Sequence, residues 1–362
     1  MAKKNKIKVL DLFCGCGGIS CGFALAGFDI VGGIDFNEAA TVTFKHNFPK
    51  AKVRCTDIMT VADEDIIRDY KDVDVIVGGP PCQGFSSANR WQKELEDPRN
   101  KLFFEYIRFV KILKPKVVMI ENVMGILTRD NGYAKERINT ILSEEGYILN
   151  MTILDASDYG VPQNRKRAVF VGIKKDFLNE KFDFEKLIKK DKVTVEDAIG
   201  ELYVFEKTSS ELMKLEEKPS TPYRKYLRRK DNVVSEHEAR YPAEIVQQRI
   251  SHVPQGGNWM NVPVELWPND RKNRHSSAYK RLDPNTQSCT IDTGNAHSNY
   301  FHPLYNRIPS PRESARLQSF PDSFAFPGTR GSIYKQIGNA VPPLLAKAIA
   351  DEIMKLIKNE DN

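Results

Sequence analysis

Apolar and polar residues alternate in blocks along the first half of the chain, and the blocks have the lengths of strands and helices. Seven short apolar runs predict β-strands at residues 8–13, 29–34, 53–57, 73–77, 117–120, 148–154 and 168–173. Segments with helical spacing predict α-helices at residues 19–26, 38–47, 102–113 and 133–145. Strands that alternate with helices indicate an α/β domain with a doubly wound sheet.

This pattern ends near Lys174. Residues 181–215 are charged and partly helical, and the chain from there to about Pro327 is rich in Pro, Asn, Ser, Arg and Tyr. A last amphipathic helix is predicted at residues 346–358. We therefore expect two domains: a large α/β domain of residues 1–178 with 328–362, and a smaller, irregular domain of residues 179–327.

The charge of the chain is concentrated in one segment. The formal net charge is +6, and Pro222–Arg281 contains twelve Lys or Arg and six Asp or Glu, so the whole surplus falls there. A local basic excess suggests a polyanion such as nucleic acid, although a solvated surface explains the charge equally well. The 41% hydrophobic residues suffice for a core. No apolar run approaches the length of a membrane span, and we expect a cytoplasmic protein with reduced cysteines and no metal site.

Two polar features follow the first two predicted strands. The segment CGCGG follows the first, and its glycines would let a ligand approach backbone amides at a helix start. Asp35 ends the second strand, twenty residues after Gly15, which is the spacing for the ribose of an adenosine cofactor. Together the two features favour an adenosine cofactor over a simple tight turn. They leave NAD and S-adenosylmethionine as alternatives.

Cys82 lies in the segment GGPPCQGFS, directly after the fourth predicted strand. On its N-terminal side, two glycines allow backbone angles that other residues avoid, and two prolines fix their own. A lone cysteine is more often a small buried side chain, whereas a catalytic thiol needs a fixed position and a lowered pKa. The glycine–proline frame at a strand end favours a nucleophile.

Three charged residues follow or begin later strands. Glu121 ends an apolar strand and should lie at the mouth of the sheet, because burying a carboxyl in the core is costly. There it could act as an acid, or be an ordinary exposed strand-end residue. Arg165 and Arg167 alternate at a predicted strand start and would share one face. They could steer a substrate carbonyl or phosphate, or be surface cations.

The motifs DLFCGCGG, GGPPCQGFS, ENV, QNRKR, RESARLQSFPDSF and QIGNAVPP occur in this order. The ordered set resembles the DNA cytosine-5 methyltransferases, and of these the prokaryotic restriction–modification enzymes, over nearly the whole chain except residues 180–300. The resemblance implies a Rossmann-like, S-adenosylmethionine-dependent methyltransferase fold. It also implies a target cytosine that is flipped out of the duplex.

The resemblance assigns roles at matching positions. It makes Cys82 the nucleophile, Glu121 its acidic partner, and Arg165 and Arg167 positioning cations. Asp35 would bind the cofactor ribose. The residues implied to bind S-adenosylmethionine are Phe13, Gly15, Gly17, Gly18, Asp35, Phe36, Asp57, Ile58, Pro81, Leu102, Asn339 and Val341.

The same resemblance extends the two-domain prediction. Residues 1–178 with 328–362 become the catalytic, cofactor-binding domain, and residues 179–327 the target-recognition domain. The basic segment Pro222–Arg281 would hold DNA phosphates. We expect a monomer whose partners are double-stranded DNA and a cognate restriction endonuclease that acts on the same site.

Three other functions remain as alternatives. An NAD-dependent dehydrogenase is disfavoured because Ser20 stands where the dinucleotide fingerprint has Gly or Ala. A catalytically inactive nucleic-acid-binding member of the fold is disfavoured because Cys82, Glu121 and Arg165 are all present. A tRNA cytosine methyltransferase shares the same motifs, but the long basic insert favours DNA.

Overall fold

The computed structural model describes residues 6–81, 101–205, 212–267, 279–293 and 300–360. The strands of the main sheet are β1 (Lys8–Leu12), β2 (Asp29–Asp35), β3 (Lys52–Cys55), β4 (Val75–Gly78), β5 (Val117–Val123), β6 (Tyr147–Asp155) and β7 (Lys166–Lys174). The α-helices of the described ranges are α1 (Gly18–Leu25), α2 (Glu38–Asn47), α3 (Asp63–Tyr70), α4 (Lys101–Leu113), α5 (Tyr133–Glu144), α6 (Val195–Ile199), α7 (Pro222–Leu227), α8 (Glu244–Ser251), α9 (Pro311–Leu317), α10 (Arg330–Asn339) and α11 (Pro343–Glu360). Among these helices none is long and apolar enough to cross a bilayer.

The seven strands form one sheet in the order β3-β2-β1-β4-β5-β7-β6. The first five are parallel, and β7 runs antiparallel to both β5 and β6. The strand order reverses between β1 and β4, which is the switch point of a doubly wound sheet. The α/β fold and all seven predicted strands are confirmed, with ends that shift by at most a few residues.

Helix α3 is absent from the prediction. Only Ile66 and Tyr70 are buried among its eight residues, so the sequence offers a single i, i+4 pair as a periodic signal. The first turn carries Asp63, Glu64 and Asp65. Acidic side chains there are stabilised by the positive end of the helix dipole. The helix therefore depends on its charges and two anchors, which a search for an apolar stripe overlooks.

The described chain forms two compact units. Unit 1 lies within residues 1–156, 166–189 and 343–362, and unit 2 comprises residues 157–165 and 190–342. The domain boundaries expected after residues 178 and 327 therefore precede those of the structure, which follow residues 189 and 342. Residues 157–165, which were expected in the α/β domain, belong to unit 2.

Unit 2 has small apolar clusters. One contains Ile250, Val253, Val262, Tyr279 and Phe301. Another contains Leu202, Leu215 and Val234. Neither approaches the size of the main apolar cluster of unit 1, which runs along the sheet and includes the buried face of α4.

Helix α9 adds a cluster of buried charged residues to unit 2. All seven residues of α9 are buried, although three of them are charged. Arg307 forms two hydrogen bonds of 2.7 and 2.9 Å with the Glu313 carboxylate, and both side chains are fully buried. Arg316 binds Asp322 in the same two-bond manner and reaches Glu201 at 2.7 Å. Charge-assisted, bidentate bonds of this kind satisfy buried ions.

The segment QIGNAVPP differs from its prediction as a shaped loop. Its first four residues form the last turn of α10, which ends at Asn339. Helix α11 begins at Pro343, three residues before the predicted start, because proline is well tolerated in the first turn of a helix. Only Ala340–Pro342 remains between the two helices.

Gly22→Ala should destabilise unit 1 because α1 and α11 meet at Gly22. A Cβ atom there would lie 2.4 Å from the carbonyl oxygen of Pro343 and 2.6 Å from the Cβ of Ala346. We expect a loss of at least about 1–3 kcal/mol in the free energy of unfolding, measured by urea denaturation. Gly125→Ala is the matched control, since no atom lies within 4 Å of its added Cβ. Equal unfolding midpoints for the two variants would contradict this packing.

Candidate active site

The carboxyl ends of four parallel strands lie at one edge of the sheet. The pairing places Leu12 beside Ile34 and Gly78, and Gly78 beside Ile120. The glycine-rich loop, Asp35, the proline loop and Glu121 all follow directly after these positions. The prediction that they share an edge is therefore confirmed for the described residues.

The glycines of the loop after β1 have different tasks. Gly15 (φ 51°) and Gly17 (φ 98°) both adopt left-handed backbone, and so does Phe13 (φ 60°). A Cβ on Gly17 would lie 2.8 Å from the Phe48 ring, so Gly17 is needed for packing. A Cβ on Gly15 would meet nothing within 4 Å, which leaves the backbone at Gly15 open to a ligand. Gly18 is the buried first residue of α1.

The Asp35 carboxylate holds this loop. Its Oδ2 accepts a hydrogen bond of 2.8 Å from the Gly15 amide, and its Oδ1 accepts one of 2.8 Å from the Asn37 amide. Each carboxylate oxygen has a second lone pair, so two further donors can bind. Asp35 thus fixes Gly15 and keeps acceptor capacity for the hydroxyls of a ribose.

A buried acid beneath the loop escaped the sequence analysis. Asp11 lies in β1, is fully buried, and accepts a 2.6 Å hydrogen bond from the Ser20 hydroxyl of α1. Burial raises the pKa of Asp11 to about 7. Its Oδ1 is buried and has no hydrogen-bond partner among the described residues. The available signal was an aspartate in the middle of the apolar strand KVLDL.

The ends of β2 and β3 present the remaining residues predicted for an adenosine moiety. Phe36 is 78% exposed although it is aromatic. Asp57 is exposed and caps a short 3₁₀-helix through a 3.0 Å bond from the Met59 amide. Ile58 is buried in the core of unit 1, and its carbonyl oxygen accepts hydrogen bonds from the Arg108 guanidinium and the Val61 amide.

Glu121 and Arg167 form an ion pair at the end of β5. The Nε of Arg167 lies 2.8 Å from Oε1 of Glu121, and both side chains are mostly buried. The backbone of Gly79 passes close by, since a Cβ added there would lie 3.2 Å from Oε2 of Glu121. The predicted acid and one predicted cation are therefore brought together beside the proline loop.

Asn122 joins β5 to that loop. Its Nδ2 donates a 2.9 Å hydrogen bond to the carbonyl oxygen of Pro80. The ENV motif thus positions the backbone two residues before Cys82, while Pro81 is exposed. This function of Asn122 was missed because its acceptor, Pro80, lies 42 residues away in the chain.

Arg165 differs from the expectation that it shares a strand face with Arg167. Strand β7 begins at Lys166, and Arg165 belongs to unit 2. Its guanidinium is buried and donates bonds of 2.9 Å to the carbonyl oxygens of Ile291 and Gly338. These bonds give Arg165 a structural role within unit 2. Its proposed role in steering a substrate stays a prediction.

The other residues predicted to bind the cofactor lie in different elements of the fold. Leu102 is the second residue of α4 and packs partly buried against the core of unit 1. Asn339 ends α10 in unit 2 and is exposed, and Val341 is buried two residues later. Cys82 lies outside the described residues, so its assignment rests on the sequence.

Comparisons with known proteins bear on the same motifs. The model of the family described as "C-5 cytosine-specific DNA methylase" matches residues 7–355. The chain belongs to this family. It is therefore a DNA cytosine-5 methyltransferase, and the alternative of an NAD-dependent dehydrogenase is wrong.

Individual relatives of the methyltransferase agree with the family match. The Type II methyltransferase M.DdeI of Desulfomicrobium norvegicum is 38% identical over 98% of this chain and 90% of its own. The Type II methyltransferase M1.HphI of Haemophilus parahaemolyticus is 35% identical over 97% of this chain and 87% of its own. A crystal structure described as a DNA modification methyltransferase encoded within an E. coli prophage has a TM-score of 0.80 at 30% identity, covering 98% of this chain and all of that one.

Several of the twelve Lys and Arg residues of the basic segment Pro222–Arg281 already have partners within the protein. Four of its arginines, Arg224, Arg228, Arg229 and Arg240, form ion pairs with nearby carboxylates. Arg281 is buried and donates to the carbonyl oxygens of Ile250, Val253, Pro303 and Leu304. Arg228 and Arg281 thus serve the internal structure of unit 2, whereas Arg229 and Arg240 are paired at its surface. DNA binding by this segment stays a prediction.

Asp11→Asn should change how stability depends on pH. The folded pKa of Asp11, about 7, lies above its ordinary 3.8, so between these values the unfolded chain releases a proton that the folded chain retains. The wild-type free energy of unfolding should therefore fall relative to the variant as pH rises from 4 to 7, by at most about 1.4 kcal/mol per pH unit. Urea unfolding of both proteins across this range measures the difference. A difference independent of pH would show that Asp11 is already ionised in the fold.

Proposed function

We propose that this methyltransferase uses S-adenosylmethionine to methylate carbon 5 of a cytosine within a short, specific duplex sequence. The proposal includes flipping of the target base and a covalent bond between that base and Cys82. One observation carries most weight: the Glu121–Arg167 pair lies against the backbone of the proline loop that leads into Cys82. An acid, a cation and a thiol-bearing loop at one strand edge suit addition chemistry on a pyrimidine.

The residues at the edge of the sheet fit the proposed cofactor. The open side of Gly15 permits close approach of a ligand to the backbone, and Asp35 retains acceptor capacity for ribose hydroxyls. The exposed Phe36 ring offers a stacking surface for adenine, and Asp57 an acceptor for its amino group. When bound, S-adenosylmethionine supplies an electrophilic methyl group on its sulfonium.

Cys82 would make the base reactive. Carbon 5 of cytosine is a weak nucleophile, and addition of a thiolate to carbon 6 converts the ring into an enamine-like species. Carbon 5 would then take the methyl group, which leaves S-adenosylhomocysteine as the second product. Loss of the proton on carbon 5 to a base or water lets the bond between the Cys82 sulfur and carbon 6 break, which restores the aromatic ring and the thiolate. The balance requires no oxidant and no metal.

Glu121 would stabilise the ring during this addition. Its carboxyl group would bind ring nitrogen 3, where charge develops as the thiolate adds. Arg167, whose Nε lies 2.8 Å from Oε1, holds the carboxyl in one orientation. Asn122 fixes the Pro80 carbonyl and with it the start of the loop that carries the nucleophile. The base must leave the stack to reach these groups, at a cost of a few kcal/mol.

The biological setting is also inferred. Relatives named Type II methyltransferases support a role in a restriction–modification system, in which a cognate endonuclease would cut the same sequence. We infer a monomeric, cytoplasmic enzyme whose partner is double-stranded DNA. Unit 2 and its basic segment would recognise the target sequence.

Transfer of labelled methyl from S-adenosylmethionine to duplex DNA tests the proposal. We expect incorporation into duplex DNA and at most a trace into tRNA. Incorporation only into tRNA would instead support the tRNA alternative, and none into either substrate would support an inactive nucleic-acid-binding protein. Sequencing of methylated cytosines in DNA from cells that express the chain would then give the target site.

Cys82→Ser should abolish turnover and retain cofactor binding, because a serine hydroxyl is far less nucleophilic than a thiolate. We expect methyl transfer to fall by at least about 10³-fold, with an unchanged Kd for S-adenosylhomocysteine in calorimetry. Cys55→Ser is the control, since Cys55 is an exposed thiol at the end of β3 and a serine hydroxyl can keep its hydrogen bond to the Phe36 carbonyl oxygen. Undiminished transfer by the Cys82 variant would refute the assignment.

A further inference from the structure

Arg165 connects two distant segments of unit 2. One terminal nitrogen of its guanidinium donates to the carbonyl oxygen of Ile291, and the other to that of Gly338, each at 2.9 Å. All three residues are buried. Because the guanidinium is planar and rigid, the two carbonyl groups are held at a fixed separation.

Gln163 holds the same Ile291 from its other side. Its Oε1 accepts a 2.9 Å hydrogen bond from the Ile291 amide, and its Nε2 donates to Gln318, a residue that follows α9. Both backbone groups of Ile291 are thus bound by side chains of the segment 163–165. The backbone of that segment is itself bonded to Ser288, through Pro162 and Asn164.

Gln318 holds the end of α10. Its Nε2 donates to the carbonyl oxygens of Ile337 and Ala340, at 3.1 and 2.6 Å. Gly338 lies directly against the other segment, since a Cβ there would be 2.4 Å from the carbonyl carbon of Asp292 and 2.5 Å from the Thr293 amide. The two backbones are therefore in contact with no side chain between them.

These contacts form one buried cluster, the Arg165 clamp, made of Gln163, Arg165 and Gln318. It binds the turn 337–341, which carries Asn339 and Val341, and the segment 288–293, which lies within the range expected to recognise the target. Each guanidinium bond is short and buried, so a shift of one segment would leave a polar group unsatisfied unless the other moved with it.

We propose that the Arg165 clamp couples cofactor binding at the turn 337–341 to target recognition through the segment 288–293. The proposal rests on the proposed function, since it takes S-adenosylmethionine and duplex DNA as the two ligands. A cofactor that contacts Asn339 would stabilise one position of the turn 337–341. The clamp, which is bonded to both segments, would then hold Ile291 in the matching position. Arg165 is then a positioning residue. Because coupling between two binding sites is reciprocal, DNA must tighten cofactor binding by the same factor.

A thermodynamic cycle measures this coupling. The Kd for a duplex that carries the mapped target is measured with and without saturating S-adenosylhomocysteine, and the Kd for S-adenosylhomocysteine with and without that duplex. We expect the wild type to bind DNA at least about 10-fold tighter with the cofactor product, and Arg165→Lys to reduce this ratio to below about 2-fold. Lysine keeps the charge but replaces the two-nitrogen fork by one nitrogen.

Arg281→Lys is the matched control. Arg281 is another buried arginine of unit 2 that donates to backbone carbonyls, but its acceptors are Ile250, Val253, Pro303 and Leu304. A purely structural loss would lower the Tm of both variants and leave the coupling ratio of both unchanged. An unchanged ratio in Arg165→Lys, or a wild-type ratio of one, would overturn the proposal.

Hydrogen exchange on the wild type keeps the test independent of variants that fail to fold. S-adenosylhomocysteine alone should slow exchange of the Ile291 amide, which donates to Gln163, by at least about 5-fold. No change at residues 288–293 would overturn the clamp, and so would a failure of the wild type to bind S-adenosylhomocysteine. Absence of methyl transfer to any duplex, with the exchange effect present, would instead refute the proposed function and retain the clamp.

Discussion

Parallel pairing of β1 with β2 and β4, and of β4 with β5, is the constraint on which the site of this methyltransferase depends. It forces four loops to leave the sheet at one edge, whatever their sequences. The glycine loop, Asp35, the proline loop and Glu121 then need only short-range contacts to reach their positions. Asp35 holds Gly15, Asn122 holds Pro80, and Arg167 holds Glu121. Each contact joins neighbouring strand ends, so the sheet supplies the coarse placement and hydrogen bonds the fine one.

Unit 2 is stabilised in part by buried ion pairs. Two of its apolar clusters are small, and its buried helix α9 is held by Arg307–Glu313 and Arg316–Asp322. Removal of one member of such a pair leaves an uncompensated buried charge, which typically costs about 3–5 kcal/mol. Directional bonds also fix orientation more sharply than apolar contacts do. An irregular chain with little secondary structure can therefore hold loops in defined positions.

The sequence predicted β1, β4 and β5 well because buried parallel strands read as nearly continuous apolar runs. It failed where structure depends on polar contacts between distant residues. Helix α9 was missed because its buried face carries Arg and Glu, and the clamp task of Arg165 depends on Ile291 and Gly338, more than 120 residues away. The hydrogen bonds that join Asp11 to Ser20 and Asn122 to Pro80 have no signature in the sequence, and only the fold shows them. Their roles follow from tertiary contacts that no local pattern encodes.

The central claim is that the thiolate of Cys82 adds to carbon 6 of the target cytosine at the edge of the sheet where the parallel strands end. A duplex with 5-fluorocytosine at the target position tests it directly, because fluorine on carbon 5 cannot leave as a proton and the covalent species persists. Incubation with S-adenosylmethionine, digestion and mass spectrometry should locate the nucleotide adduct on the peptide that contains Cys82. A spectrum without an adduct, or with the adduct on another residue, would contradict the account.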